Sequence, residues 1–208
     1  MKIFLIRHGE TPWTKEKRYQ GTTDIPLNRE GLRQAKAIAR TLKREGVTRI
    51  FTSTLRRAKE TGRALAGALR IRPFVDPRLN EICFGLWEGA YYQNLFNRKG
   101  SKFKKWREGN LKKPPGGESL VSLTRRIRQF LRELLRSCKE ETVAIVSHGG
   151  PIKTFLFQAL YGGKRCAAVP LPSIWALRID PASISLIEGD SHLLQIVSTN
   201  RRDHLFSR

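Results

Sequence analysis

The sequence predicts an α/β fold: a three-layer α/β/α domain with a mostly parallel central sheet and an inserted helical lid. Three observations predict it. Continuous apolar runs at residues 3–6 and 142–147 fit strands buried on both faces. Stripes of apolar residues at spacings of three and four alternate with such runs, the pattern that builds parallel strand–helix–strand units. Two late strand-like runs, separated by Gly189-Asp190-Ser191, read as an antiparallel hairpin.

Taken in order, the first strand at 3–6 is followed by a polar loop at 9–27, rich in Gly, Thr and Pro. Residues 28–45 open on Asn28, a capping residue, and place Leu32, Ala35, Ile38, Ala39 and Leu42 on one helical face before Gly46 ends the pattern. A second strand is expected at 49–52, then a helix carrying Leu55, Ala58, Leu65 and Leu69. Residues 82–117 lose any clean period and are dense in Gly, Trp, Tyr, Lys and Pro, so they read as a lid insertion with one or two helices. The stripe Leu120, Leu123, Ile127, Phe130, Leu131 and Leu134 predicts a long amphipathic helix. A buried strand at 142–147 and a helix at 150–161 follow. Three strand-like runs at 174–179, 184–188 and 193–198 close the chain.

With 208 residues, 39% of them apolar, the chain is long enough for a single domain over 1–208 that buries roughly 70% of its unfolded surface. The formal charge of +22 invites a polyanion-binding reading. Lys and Arg occur in ones and twos, however, and their densest stretches, 102–107 and 125–128, fall on helix-like segments. That distribution reads as solvated helix face, and argues against a nucleic-acid partner. Cys83, Cys138 and Cys166 lack metal-binding spacing and read as reduced thiols. No apolar run approaches the roughly 20 residues of a membrane span, so a cytoplasmic protein without a membrane partner is expected. The composition is compatible with a homodimer.

In open parallel sheets, working residues lie just past the carboxyl ends of the strands. The first strand ends in Arg7-His8-Gly9, the second in Ser53-Thr54-Leu55-Arg56-Arg57, and the strand at 142–147 in His148-Gly149-Gly150. Two of the four histidines thus occupy matching edge positions beside arginines, whereas His192 and His204 lie in a turn and the tail. This combination suits phosphoryl chemistry. Guanidinium forks match phosphate oxygens, and a neutral imidazole can attack phosphorus and carry the group. The leaving oxygen then needs a carboxylic acid nearby.

Arg7-His8-Gly9-Glu10-Thr11, with Arg18-Tyr19-Gln20-Gly21, Asp24, Pro26-Leu27, Gly31 and Gln34-Ala35, resembles the opening signature of the histidine phosphatase (phosphoglycerate mutase-like) superfamily. The blocks Ser53-x-Leu55-x-Arg57-Ala58-x-x-Thr61, Leu79-x-Glu81-x-x-Phe84-Gly85-x-Trp87-Glu88-Gly89, Pro115-Gly116-Gly117-Glu118-Ser119 and Ser147-His148-Gly149-Gly150 follow in family order. The resemblance implies that His8 becomes a phosphohistidine, that Arg7, Arg57 and His148 surround the phosphoryl oxygens, and that Glu81 is the general acid and base. It also implies substrate contacts from Gln20, Gly21, Thr22 and Gly149. Glu10 is expected in a supporting role. Where the family often has Trp-Asn, this chain has Trp13-Thr14, so an amide contact to phosphate would become a hydroxyl contact or be lost.

The phosphohistidine can pass its group to water, as in a phosphatase, or to a bound second substrate, as in a cofactor-dependent phosphoglycerate mutase. The compact stretch 82–117 and the sequence His148-Gly149-Gly150-Pro151-Ile152-Lys153 resemble the phosphatase side, near the α-ribazole and broad-specificity phosphatases. The implied partner is a small phosphorylated metabolite. With two arginines supplying the charge, neither a metal nor another cofactor is expected. A basic binding protein on the same scaffold is the alternative of a different class. In the lid, Phe96 and Phe103 are expected to pack, while Tyr91 and Trp106 could either pack or wall the pocket.

Overall fold

The computed structural model describes residues 1–97, 101–161 and 174–206. Its centre is a six-stranded sheet in the order β3-β2-β4-β1-β5-β6, formed by β1 (Lys2–Arg7), β2 (Arg49–Thr52), β3 (Phe74–Val75), β4 (Thr142–Ser147), β5 (Ile184–Gly189) and β6 (Leu194–Arg201). The first four strands of that order are parallel; β5 and β6 are antiparallel additions at the β1 edge. The expected hairpin is therefore present. Residues 174–179 form no strand: a helical end at Ile174 leads into turns, because this apolar run is used to wall a cavity rather than to join the sheet. The short β3, whose exposed Phe74 and Val75 pair with β2, was not legible between two prolines.

Period-two alternation sends β1 side chains into two cores. Ile3 and Leu5 join a cluster with Leu123, Ile127, Phe130 and Phe155, from α6 (Leu120–Ser137) and α7 (Gly149–Tyr161). Phe4 and Ile6 join Ile38, Leu42, Ala58 and Leu65, from α2 (Arg29–Leu42) and α3 (Arg56–Leu69). Both faces of the sheet are thus covered, which is why the strand reads as an unbroken apolar run. Full burial of each such side chain stabilises the fold by about 1.5–3 kcal/mol. Caps set the helix starts: Asn28 accepts from the Gly31 amide (2.8 Å), and Ser119 from the Ser122 amide (3.1 Å).

The 82–117 segment holds two short helices among the described residues, α4 (Tyr92–Asn97) and α5 (Lys102–Arg107). Phe103 is buried with Phe96 4.9 Å away, so both pack as expected, and Trp106, left open by the sequence, is buried and also lines the cavity. Tyr91 is exposed and takes a hydrogen bond from Arg18 instead of walling a pocket. Arg125, Arg132 and Arg136 line the solvent side of α6, in keeping with the helix-face reading of the charge. Cys83 and Cys138 are free thiols; Cys166 lies outside the described residues. No helix among the described residues is long and apolar enough to cross a membrane.

Candidate active site

Register brings the two histidines together. Arg7 stands opposite Ser147 where β1 pairs with β4, and the His8 amide donates to the Ser147 carbonyl (3.1 Å). The His8 and His148 rings therefore lie 5.1 Å apart, both buried. The His8 ring opens onto a cavity of about 210 Å³ whose floor is Arg7, His8, Gln20, Gly21, Arg57, Glu81 and Gly149.

The tautomer of His8 follows from its partner. Its Nδ1 lies 2.8 Å from the Gly9 carbonyl, which can only accept, so Nδ1 holds the proton and Nε2 holds the lone pair. Burial, then the neighbouring Arg57 and Arg7 charges, hold this imidazole well below its usual pKa of 6.5. It is a neutral imidazole beside two cations, with its Nε2 lone pair unprotonated.

Arg57 is fully buried at the start of α3 and serves two functions. Its Nη1 and Nη2 donate to the carbonyls of Thr23 (2.8 Å) and Gly21 (2.7 Å), which holds the 20–23 loop against the sheet. Its Nε donates to His148 Nδ1 (3.3 Å). One N–H on each Nη remains. Burial lowers its pKa to about 10, with Glu81 acting in the opposite sense, so the charge persists at neutral pH. Arg7 donates to the Ile179 carbonyl, and its buried Nε has no partner.

His148 is brought to the cluster but not onto the cavity wall. Since the guanidinium must donate, Nδ1 accepts and Nε2 donates to Ser53 Oγ (2.7 Å), which occupies both ring nitrogens. The expected direct contact with phosphoryl oxygens gives way to a place behind Arg57 and His8. Thr22 is the second correction: its amide and hydroxyl both bond Glu88, so it faces away from the cavity. Gln20 does face it, with Oε1 engaged by Thr11 (2.8 Å) and its amide nitrogen left for a ligand. Thr14 forms a capping box with Thr11, so the hydroxyl is spent on the helix start. Glu10 accepts from Asn28 Nδ2, a supporting contact as expected.

Glu81 sits at the amino end of α7, where its Oε1 accepts from the Gly150 amide (3.0 Å). A side chain at Gly150 would meet that oxygen at 2.5 Å, so the second glycine of the His148-Gly149-Gly150 motif makes room for the carboxylate. Oε2 carries no hydrogen bond from the described residues. Arg126 of α6 holds the backbone beneath, donating to the carbonyls of Asn80 and Glu81 while paired with Glu118. Glu88 clamps the opposite side, accepting from Thr22, Thr23 and the Phe84 amide across Gly21, where φ is +55° and any Cβ would strike the carboxylate.

Sequence reasoning assigned no role to Ser53, Glu88, Glu118, Arg126 or Lys153. Three of these lie inside the quoted blocks, yet pairing could not be read without the fold. The signal for Lys153 was its place four residues after Gly149, on the same face of α7. The upper wall comprises Tyr19, Phe84, Tyr92, Trp106 and Trp175, with Lys153 among them.

A doubly wound sheet edge carrying a neutral histidine, the buried Arg57 guanidinium, the half-buried Arg7 and a carboxylate suits the handling of a phosphoryl group. The chain belongs to the histidine phosphatase superfamily (branch 1), whose model matches residues 3–202, and it is a phosphatase. It is 33% identical over 206 residues to phosphoserine phosphatase 1 of Hydrogenobacter thermophilus, covering 99% of this chain and 94% of that enzyme. It is 28% identical over 189 residues to the adenosylcobalamin/alpha-ribazole phosphatase of Salmonella typhimurium, covering 90% of each. Some other relatives are longer, the chain spanning 50% of them. A phosphoserine phosphatase mutant from Entamoeba histolytica, solved with phosphoserine, superposes with a TM-score of 0.84 at 29% identity over 98% of both chains.

Proposed function

We propose that this chain hydrolyses small organic phosphomonoesters through a phosphohistidine at His8. The Nε2 lone pair attacks phosphorus in line; the P–N bond forms as the bond to the leaving oxygen breaks, and the Glu81 carboxylic acid protonates that oxygen. Glu81 then takes a proton from water, which attacks phosphorus and releases inorganic phosphate with His8 restored. Arg7, Arg57, the Gln20 amide and the Gly149 N–H at the start of α7 stabilise the equatorial oxygens. His148 acts by holding Arg57 and His8 in register.

The observation that carries this reading is the His8–Gly9 hydrogen bond, which leaves Nε2 unprotonated in the field of Arg57 and Arg7. The cavity of about 210 Å³ is smaller than the roughly 300 Å³ at which drug-sized sites begin, in keeping with a small metabolite. The test is to mix enzyme with p-nitrophenyl phosphate and quench in base, where phosphohistidine survives. A phosphoenzyme in wild type, absent in His8→Ala, supports the reading; turnover without it refutes it. Because arginines supply the positive charge, dialysis against EDTA is expected to leave the rate unchanged, and a strict magnesium requirement would contradict the scheme.

A further inference from the structure

The floor of the cavity accounts for a phosphoryl group, but the wall above it holds donors that a phosphoryl group does not use. Lys153 stands one turn of α7, about 5.4 Å, beyond Gly149. It lines the same cavity as His8 and Glu81, with its Nζ 5.2 Å from the centre of the Trp175 ring. No hydrogen bond or ion pair from the described residues engages that Nζ. Trp106 and Trp175 share this wall; their indole nitrogens are closed off from solvent and have no acceptor among the described residues. Among the described residues the one carboxylate lining the cavity, Glu81, is tied to the floor by the Gly150 amide.

We propose that Lys153, set on the aromatic wall of the cavity, binds a carboxylate carried by the substrate beside its phosphoryl group. The inference rests on the phosphatase reading and specifies its substrate class: short phosphorylated hydroxy- and amino acids. An ammonium with three N–H donors and no acceptor calls for an acceptor-only group. A single ammonium matches a single carboxylate, and a cavity this small favours that group over a second phosphate. Burial, with Arg7 and Arg107 acting in the same sense and Glu81 against them, lowers the Lys153 pKa to about 8, so the ammonium persists at neutral pH. The aromatic ring beneath it favours the cation without neutralising it, leaving its charge for the ligand.

The experiment compares kcat/KM for 3-phosphoglycerate and glycerol 3-phosphate, which differ in the carboxylate, with p-nitrophenyl phosphate as a third substrate. Wild type, Lys153→Met and Lys153→Arg are measured side by side. Lys153→Met is expected to lower the value for 3-phosphoglycerate by about 10- to 100-fold, through KM, the range for a hydrogen bond to a charged group. The other two substrates should change less than about threefold, and Lys153→Arg should restore most of the loss, because it keeps the charge. Equal losses on all three substrates, or no loss on any, would overturn the role of Lys153 while the phosphatase reading stands. A wild type inert toward all three would overturn both.

Discussion

The floor and the upper wall of the cavity are built by different rules. On the floor and directly behind it, Arg7, His8, Arg57, His148 and Gly149 each sit at the end of a strand or the start of a helix, so backbone pairing sets their positions before any side chain packs. The wall draws Tyr19, Phe84, Tyr92, Trp106 and Trp175 from segments far apart in the chain, joined ring to ring at 4.4–5.9 Å. Such aromatic pairs contribute about 0.5–1.5 kcal/mol each beyond their buried area, and they tolerate exchange of one ring for another. Chemistry belongs on the rigid part, and choice of substrate on the part that can be repacked.

The sharpest way to break this division is His8→Ala. If the floor does the chemistry, kcat should fall by at least about 10⁴-fold with every phosphomonoester alike, as when a covalent nucleophile is removed. The far-ultraviolet circular dichroism should be unchanged, because the ring packs at a loop and supports no helix. A loss that varied among substrates would place His8 in recognition instead.

The same division explains what could be read in advance. Arg7, His8, Arg57 and His148 were legible because strand ends impose order on short blocks, whereas Glu81 was named only through the family resemblance; the alternation of Ile3, Phe4, Leu5 and Ile6 between two cores makes β1 unmistakable. His148 was found but its orientation was not: that depends on Ser53 Oγ at 2.7 Å, a contact across 95 residues of chain. Residues 174–179 misled because an apolar run looks alike whether it faces a sheet neighbour or a cavity. Thr22 was assigned to substrate by the family resemblance, whereas its direction in this chain is set by Glu88, 66 residues on.

Glu88 joins floor to wall, and changing it should blur the distinction. Its two oxygens accept from Thr22, Thr23 and Phe84, and these contacts hold the carboxylate below its ordinary pKa despite partial burial. Glu88→Gln places an amide donor among donors. The expected cost is roughly 2–3 kcal/mol of stability, the penalty for one or two unsatisfied buried donors, together with a higher KM because Gln20 and Gly21 share the loosened loop. Chemical denaturation read beside steady-state kinetics checks both; stability lost with KM unchanged would show that the loop needs no clamp.

The smallest effect separates the regions by pH. His8 and His148 are both held neutral by burial and adjacent arginines, well below 6.5, whereas the wall contributes no histidine. In the unfolded chain they take up protons below about pH 6.5, and in the fold they do not. The unfolded state therefore binds more protons, so stability is full above that pH and falls on acidification. Between pH 6.5 and 5.5 each histidine should remove about 1 kcal/mol, with His204, lowered mainly by burial, adding in the same sense. Carboxylates such as Glu88 titrate from 4.5 downwards in the unfolded chain and leave this window largely clear. Urea titrations at the two pH values measure the loss, and His8→Gln should remove roughly half of the share owed to the floor. A slope unchanged in that variant would mean that His8 takes up its proton in the folded state, where it could no longer attack phosphorus.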